Sequence, residues 1–211
     1  SRIAPHFHFV PKRPSGKLVC KVLKLSKTYQ DKKLFNQFNL EIQRQDKLSI
    51  MGVNGRGKST LIKMLVGDTK PDAGEIHWGA EIRLGYFSQD HRDLLNRSIS
   101  ALAWLSEMCP TSNEQSVRKA LGQMLFTKDD VDKDILLLSG GECARLLLAK
   151  IILESPNVLI LDEPTNHMDL ESIDALADAL VQYTGTVILV SHNRYLIEKI
   201  STRILYLNPL G

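Results

Sequence analysis

The sequence predicts an α/β fold with a mainly parallel sheet, and three observations carry that prediction. Residues 158–161 and 187–190 are apolar at every position, the pattern of strands buried on both faces. Strand-like and helix-like periodicities alternate along most of the chain. One all-helical stretch between Gln89 and Ser139 interrupts that alternation once.

The elements follow in order. Residues 1–17 place Pro5, Pro11, Pro14 and Gly16 among basic residues without an apolar period, and are expected to be a linker or tail entering a domain at 18–211. Alternation over 18–25 and 38–42 predicts paired strands, and the apolar run 48–51 ends at Gly52. Good helix formers with apolar spacing fill 58–66, and Gly67 stands where a helix C-terminal cap belongs. Strands are expected at 75–78 and 82–87. Helical spacing at 99–108 and 114–126 makes a helical insertion of about 90–138. Ser139 is placed to cap a long helix reaching Glu154, and 170–183 reads as a helix between the two buried strands. No internal repeat or low-complexity tract is present.

Composition narrows the class. A chain of 211 residues, 43% hydrophobic and 24% charged, has room for one large domain with a sizeable core. No run reaches the roughly 18 consecutive apolar residues of a membrane span, and the polar start does not read as a signal peptide, so no membrane insertion and a cytoplasmic location are expected. Cys20, Cys109 and Cys143 lie far apart with no paired spacing, which favours buried free thiols over a disulfide framework or zinc site. His6 and His8 read as part of a solvated tail rather than a metal pair. Net charge is +3, yet residues 1–33 hold nine Lys or Arg against one acid, leaving the remainder net negative. A basic leader of this kind either touches phosphate, as in RNA, or is a solvated linker, and charge alone leaves both open.

The sequence GVNGRGKST, residues 52–60, lies between an expected strand and an expected helix and satisfies GxxxxGK[ST]. Glycines Gly52, Gly55 and Gly57, with Asn54 between them, let backbone N–H groups face phosphate oxygens at a helix N-terminus. Lys58 supplies a point charge to the β and γ phosphates. The Ser59 hydroxyl is a ligand for Mg²⁺, and Thr60 extends the cradle. This loop makes the core one of the phosphate-loop NTPase kind. VLILDEP, residues 158–164, sets Asp162 and Glu163 at the C-terminal end of a buried strand, where open α/β sheets bind ligands. Asp162 is a metal-holding candidate and Glu163 a general base for attacking water; a helix or turn cap is the bland alternative. His192 follows the second buried strand and Gln89 follows 82–88. Their order relative to the phosphate loop, rather than their type, brings them into the candidate set.

LLLSGGECAR, residues 136–145, resembles the signature of the ABC family, with Leu138, Ser139, Gly140, Gly141 and Glu142 in its LSGG(Q/E) form. A Ser hydroxyl and Gly amides at a helix N-terminus form a second anion site, with no use for the phosphate already held by residues 52–59. The resemblance covers 18–207 and implies an ABC cassette with an antiparallel β subdomain and an inserted helical subdomain. It implies ATP and Mg²⁺ as cofactors, Tyr29 stacking adenine, and Gln89 helping Ser59 and Asp162 with the metal. It further implies Glu163 as catalytic carboxylate, Asp169 in the loop facing the partner, and His192 contacting the γ-phosphate. Two cassettes then pack head to tail, with Ser139, Gly140 and Gly141 completing the neighbour's site.

Glu142 and the run DEPTNHMDL, residues 162–170, are similar to the ABC-F group, tandem-cassette proteins acting on ribosomes. Residues 113–131 together with 167–169 look closest to the second cassette of YbiT-like bacterial members. Between Gln89 and Ser139 there is no room for the long coiled-coil arm of first cassettes. Departures are Asn193 where Asp is usual after Ser-His, and Cys143 where Lys often follows Glu142. A membrane transporter's ATPase subunit and an ATP-sensing module with little hydrolysis stay open as alternatives.

Overall fold

The computed structural model describes residues 3–53 and 55–208; Asn54, a candidate above, lies outside the described residues. Two sheets organise the chain. The first is antiparallel, in the order β2-β1-β4, from β1 (Leu18–Tyr29), β2 (Lys32–Gln43) and β4 (Ala73–Trp78). The second is parallel, in the order β5-β6-β7-β3-β8, from β3 (Lys47–Gly52), β5 (Leu84–Phe87), β6 (Val158–Asp162), β7 (Thr186–Val190) and β8 (Arg203–Leu207). The helices are α1 (Gly55–Val66), α2 (Ala101–Met108), α3 (Glu114–Gln123), α4 (Gly140–Glu154), α5 (Leu170–Gln182) and α6 (Arg194–Ile200). The expected α/β architecture, with its antiparallel subdomain and helical insertion, is the one observed. Among the described residues no helix is long and apolar enough to cross a membrane.

β6 and β7 are buried at every position, and their side chains divide between two cores by strict alternation. Val158, Ile160, Ile188 and Val190 join β1, β2 and α1 on one face. Leu159, Leu161, Val187 and Leu189 join α2 to α6 on the other. A strand covered on both sides has no polar face to display, which is why these segments are continuously apolar.

Local chemistry sets the helix ends. Gly67 terminates α1 with φ +86°, conformation open to glycine at low cost. α2 begins at Ala101 rather than 99 because the Ser100 hydroxyl accepts from Ala103 N–H at 3.0 Å. α3 stops at Gln123, short of the expected 126, and Leu125 just beyond takes φ +68°. α4 carries a reciprocal capping box between Ser139 and Glu142 and runs to Glu154 as expected. The first hairpin is longer than its alternation implied. Past residue 26 most of β1 and the start of β2 are only partly buried or exposed, so no apolar period marks them.

The leader departs from expectation. Among its described residues it has no helix or strand, but one side of it is not solvated: Pro5, Phe7 and Phe9 alternate with exposed His6 and His8 and are buried, the two phenylalanines in the core beneath α2 to α6. Phe9 meets Tyr183 edge-on with ring centroids 6.1 Å apart. Its backbone is tied at both ends: His6 N–H donates to the Gln123 carbonyl at 2.8 Å, and Lys12 N–H to the Ser155 carbonyl at 3.0 Å. The leader therefore straps the helical insertion to the sheet core. The Pro5-Phe7-Phe9 alternation was the signal; three apolar residues at period two are too few to outweigh the surrounding Pro and basic residues. Phe9→Ala is expected to destabilise the fold by about 3–5 kcal/mol, read as a lowered midpoint in urea unfolding. All three cysteines are free and buried, and burial pushes the Cys20 thiol up to about 12.

Candidate nucleotide-binding site

In the strand order β6-β7-β3, the C-terminal ends of three adjacent strands carry Asp162 with Glu163, His192, and the glycine turn. Parallel strands put all their C-termini on one edge, so residues over a hundred positions apart share a site. Asp162 pairs with Val190 across the two strand ends, and Glu163 N–H donates to the Val190 carbonyl at 2.8 Å.

The turn has two kinds of glycine. A Cβ on Gly52 would stand 2.7 Å from the Leu207 carbonyl oxygen, so packing of β3 on β8 already demands glycine there. Among the described residues, a Cβ on Gly57 would meet only the tip of Leu207 at 3.9 Å. The described atoms leave that side of Gly57 open, which suits close approach of a ligand. α1 has no acid in its first turn, so its positive end is not neutralised from within the helix. Lys58 is buried and donates from Nζ to the Gly52 carbonyl at 2.8 Å, which holds the amine over the loop.

Ser59, Thr60 and Tyr29 come together in a cavity of about 220 Å³, which Lys27, Lys63 and Thr69 also line. The long hairpin is what brings Tyr29 to α1. Lys63 was not singled out in the sequence, although it follows Ser59 by four residues and so shares its helix face. Lys27 is held in place by the Lys70 carbonyl at 2.8 Å and the Asp72 carboxylate at 3.4 Å.

Asp162 is buried, and its Oδ1 has no hydrogen-bond partner among the described residues. Burial first, then the neighbouring Glu163 and Asp90 carboxylates, push its carboxyl up to about 6 against the opposing pull of Lys63 and Lys58. An orphaned, desolvated carboxylate oxygen beside a phosphate cradle fits a hard divalent cation, which would satisfy the oxygen and offset the crowding of acids. Gln89 is exposed just past β5, next to the Asp90 that acts on Asp162.

Glu163 takes φ +52°, a left-handed conformation costing a non-glycine residue on the order of 1–3 kcal/mol. Its side chain is only 6% exposed. It accepts from the His192 backbone N–H at 3.3 Å and pairs with His192 Nε2 at 3.1 Å. The His192 side chain is 77% exposed, so the imidazole covers the carboxylate from the solvent side.

The remaining candidates lie elsewhere in the fold. The Ser139 hydroxyl accepts from Glu142 N–H at 3.2 Å, capping α4, and Lys133 pairs with Glu142 at 3.2 Å. Gly140 and Gly141 pack against His167 and line no part of the Tyr29 cavity. Asp169 caps α5, accepting from Ser172 N–H at 2.8 Å. Thus Tyr29, Ser59 and Thr60 share one cavity, Asp162, Glu163 and His192 lie together at adjacent strand ends, and Ser139, Gly140 and Gly141 stand at the start of α4 against His167.

Fold and site together define an ATP-binding cassette of the phosphate-loop class. The profile of the ABC transporter family matches residues 35–166. The chain is 41% identical over 210 residues to the "Probable ATP-binding protein YbiT" of Escherichia coli O157:H7, covering 99% of this chain and 40% of that protein. It is 39% identical over 198 residues to "ABC transporter F family member 5" of Arabidopsis thaliana, covering 93% of this chain and 29% of that one. A solved dimeric ATP-binding cassette in a post-hydrolysis state, bound to ADP and Pi, superposes with a TM-score of 0.74 at 20% identity, covering 91% of this chain and 97% of that one. The chain belongs to the ABC transporter family and is a cassette of the ABC-F type. It spans two-fifths or less of the length of these two curated relatives.

Proposed function

We propose that this cassette binds ATP with Mg²⁺, hydrolyses it, and does so against a second cassette, within a cytoplasmic protein that acts on the ribosome. The observation that carries the hydrolytic reading is Asp162: a buried carboxylate with an unpartnered oxygen, beside Glu163 and under the influence of Lys58. In this account Lys58 and the amides of Gly52, Gly55, Gly57 and Thr60 hold the phosphates, and Tyr29 stacks on adenine. Ser59, Asp162 and Gln89 would hold Mg²⁺, which supplies charge neutralisation between the phosphates. Glu163 orients and deprotonates water. His192 releases Glu163 and turns its Nε2 toward the γ-phosphate.

Support for a partner cassette comes from exposed apolar residues. Val53 is 80%, Leu137 71% and Leu170 79% exposed, and each sits within two residues of a site motif, beside Gly52, Ser139 and Asp169. Large apolar side chains clustered at polar motifs mark surfaces that become covered. Ser139, Gly140, Gly141 and Asp169 then belong to the neighbour's nucleotide. The leader, docked through Phe7 and Phe9, serves as the incoming end of a linker from a preceding cassette, and the ribosomal role follows the ABC-F type.

Phosphate release from ATP by this chain is expected to require Mg²⁺ and to stop with EDTA. ATP bound with Mg²⁺ but never cleaved would refute the enzyme reading. For the partner, the full-length protein is expected to co-sediment with ribosomes when ATP is present, and sedimentation with membranes instead would refute it.

A further inference from the structure

We infer that His167 is a positioning residue that ties the loop following Glu163 both to the Ser139 helix and to the segment carrying Gln89, so that engagement at one sets the others. His167 lies between Glu163 and the start of α5. A Cβ on Gly140 would stand 2.9 Å from its Nδ1 and 3.1 Å from its Cγ, and a Cβ on Gly141 would stand 3.1 Å from its carbonyl oxygen. Among the described glycines only Gly67 and Gly74 take positive φ, so backbone conformation does not demand glycine at 140 or 141. The space is taken instead by the imidazole and backbone of His167. The Glu163 loop therefore rests directly on the first two residues of α4.

His167 also meets His91 edge-on, with ring centroids 6.1 Å apart at 87°. His91 is buried, its Nδ1 lies 3.2 Å from the Ser88 carbonyl, and its ring stands 5.4 Å from Phe87 at the end of β5. A contiguous series of contacts thus runs from the cap of α4 through His167 and His91 to Ser88, the residue before Gln89. Packed groups with no slack transmit displacement. A second cassette pressing on Ser139 moves Gly140 against the imidazole, which bears on the loop carrying Glu163 and on the turn carrying Gln89. That role depends on the two-cassette ATPase reading above, because Glu163 and Gln89 are the groups it sets.

The experiment measures ATP turnover and equilibrium ATP binding of this chain as wild type, His167→Ala, His167→Phe, Gly140→Ala and the Gly140→Ala/His167→Ala double variant. Amide hydrogen exchange is followed with and without MgATP. His167→Ala is expected to lower kcat about tenfold while ATP affinity stays within about twofold. His167→Phe, which keeps a ring over Gly140, should recover most of the loss. Gly140→Ala should also lower kcat, but should add nothing in the His167→Ala background, where the methyl has room. MgATP should slow exchange of the first turn of α4 and of residues 88–91 together in the wild type, and this joint response should vanish in His167→Ala. Unchanged kcat in His167→Ala, equal losses of kcat and affinity, or multiplying losses in the double variant would overturn the inference. A wild-type chain that never hydrolyses ATP refutes the ATPase reading instead. Exchange then decides on its own, and identical patterns in wild type and His167→Ala would overturn the positioning role.

Discussion

Glu163→Gln is expected to lower ATP turnover by about 10²–10⁴-fold, the range of a lost general base, while ATP binding persists. The substitution keeps the shape of the side chain and the φ +52° backbone, so the fold is spared a new strain. The amide oxygen can still accept from His192 N–H, as the carboxylate does now at 3.3 Å. Removing the charge also relieves Asp162, whose carboxyl is pushed up by burial and then by Glu163. Its affinity for protons falls, which favours the ionised form that a cation needs near neutral pH. Turnover and binding should therefore part company: the variant should hold ATP longer and accumulate as a larger, nucleotide-bound species. Single-turnover phosphate release and light scattering with ATP provide the measurements. Unchanged release would remove Glu163 from its role, and loss of ATP binding would mean that the carboxylate is structural.

Much of this site was legible because its chemistry is local. Residues 52–60 need only a strand before them and a helix after, and both are found in β3 and α1. Asp162 was legible for a related reason: two acids ending a wholly apolar run have few structural uses. What escaped depends on contacts distant in sequence. β8 has partly exposed residues at alternate positions and little apolar period, and it is a strand because β3 offers an edge to pair with. Phe7 and Phe9 are core residues only because the gap between the helical insertion and the sheet exists to receive them. His167 sat in a motif whose spacing gave no hint that its ring would fill the space above Gly140. The grouping of Tyr29 with Ser59 and Thr60 followed the family resemblance, and the hairpin that achieves it was longer than its pattern.

Ser139→Arg is expected to abolish turnover, by about 100-fold or more, while the same chain's affinity for ATP stays within about twofold. Ser139 is exposed at the N-terminus of α4 and lines no part of the cavity shared by Tyr29, Ser59 and Thr60, so in the head-to-tail arrangement the arginine bears on the neighbour's nucleotide rather than on the one its own chain holds. Losing the Ser139 cap costs about 1 kcal/mol, and an arginine charge at a helix N-terminus adds a few tenths more. Such a loss lowers Tm by only a few degrees in a domain of this size, so a large fall in turnover cannot come from unfolding. Complementation tests the split site more severely. A Lys58→Ala chain has a damaged phosphate loop but an intact Ser139, and the Ser139→Arg chain is the reverse. In a head-to-tail pair one composite site of the mixed dimer is whole and the other is doubly damaged. Mixing two inactive chains should restore about a quarter of the wild-type rate, since half the pairs are mixed and each holds one intact site. A mixture as inactive as its components, with both variants folded and able to associate, would mean that Ser139 serves its own chain's nucleotide and that the head-to-tail arrangement is wrong.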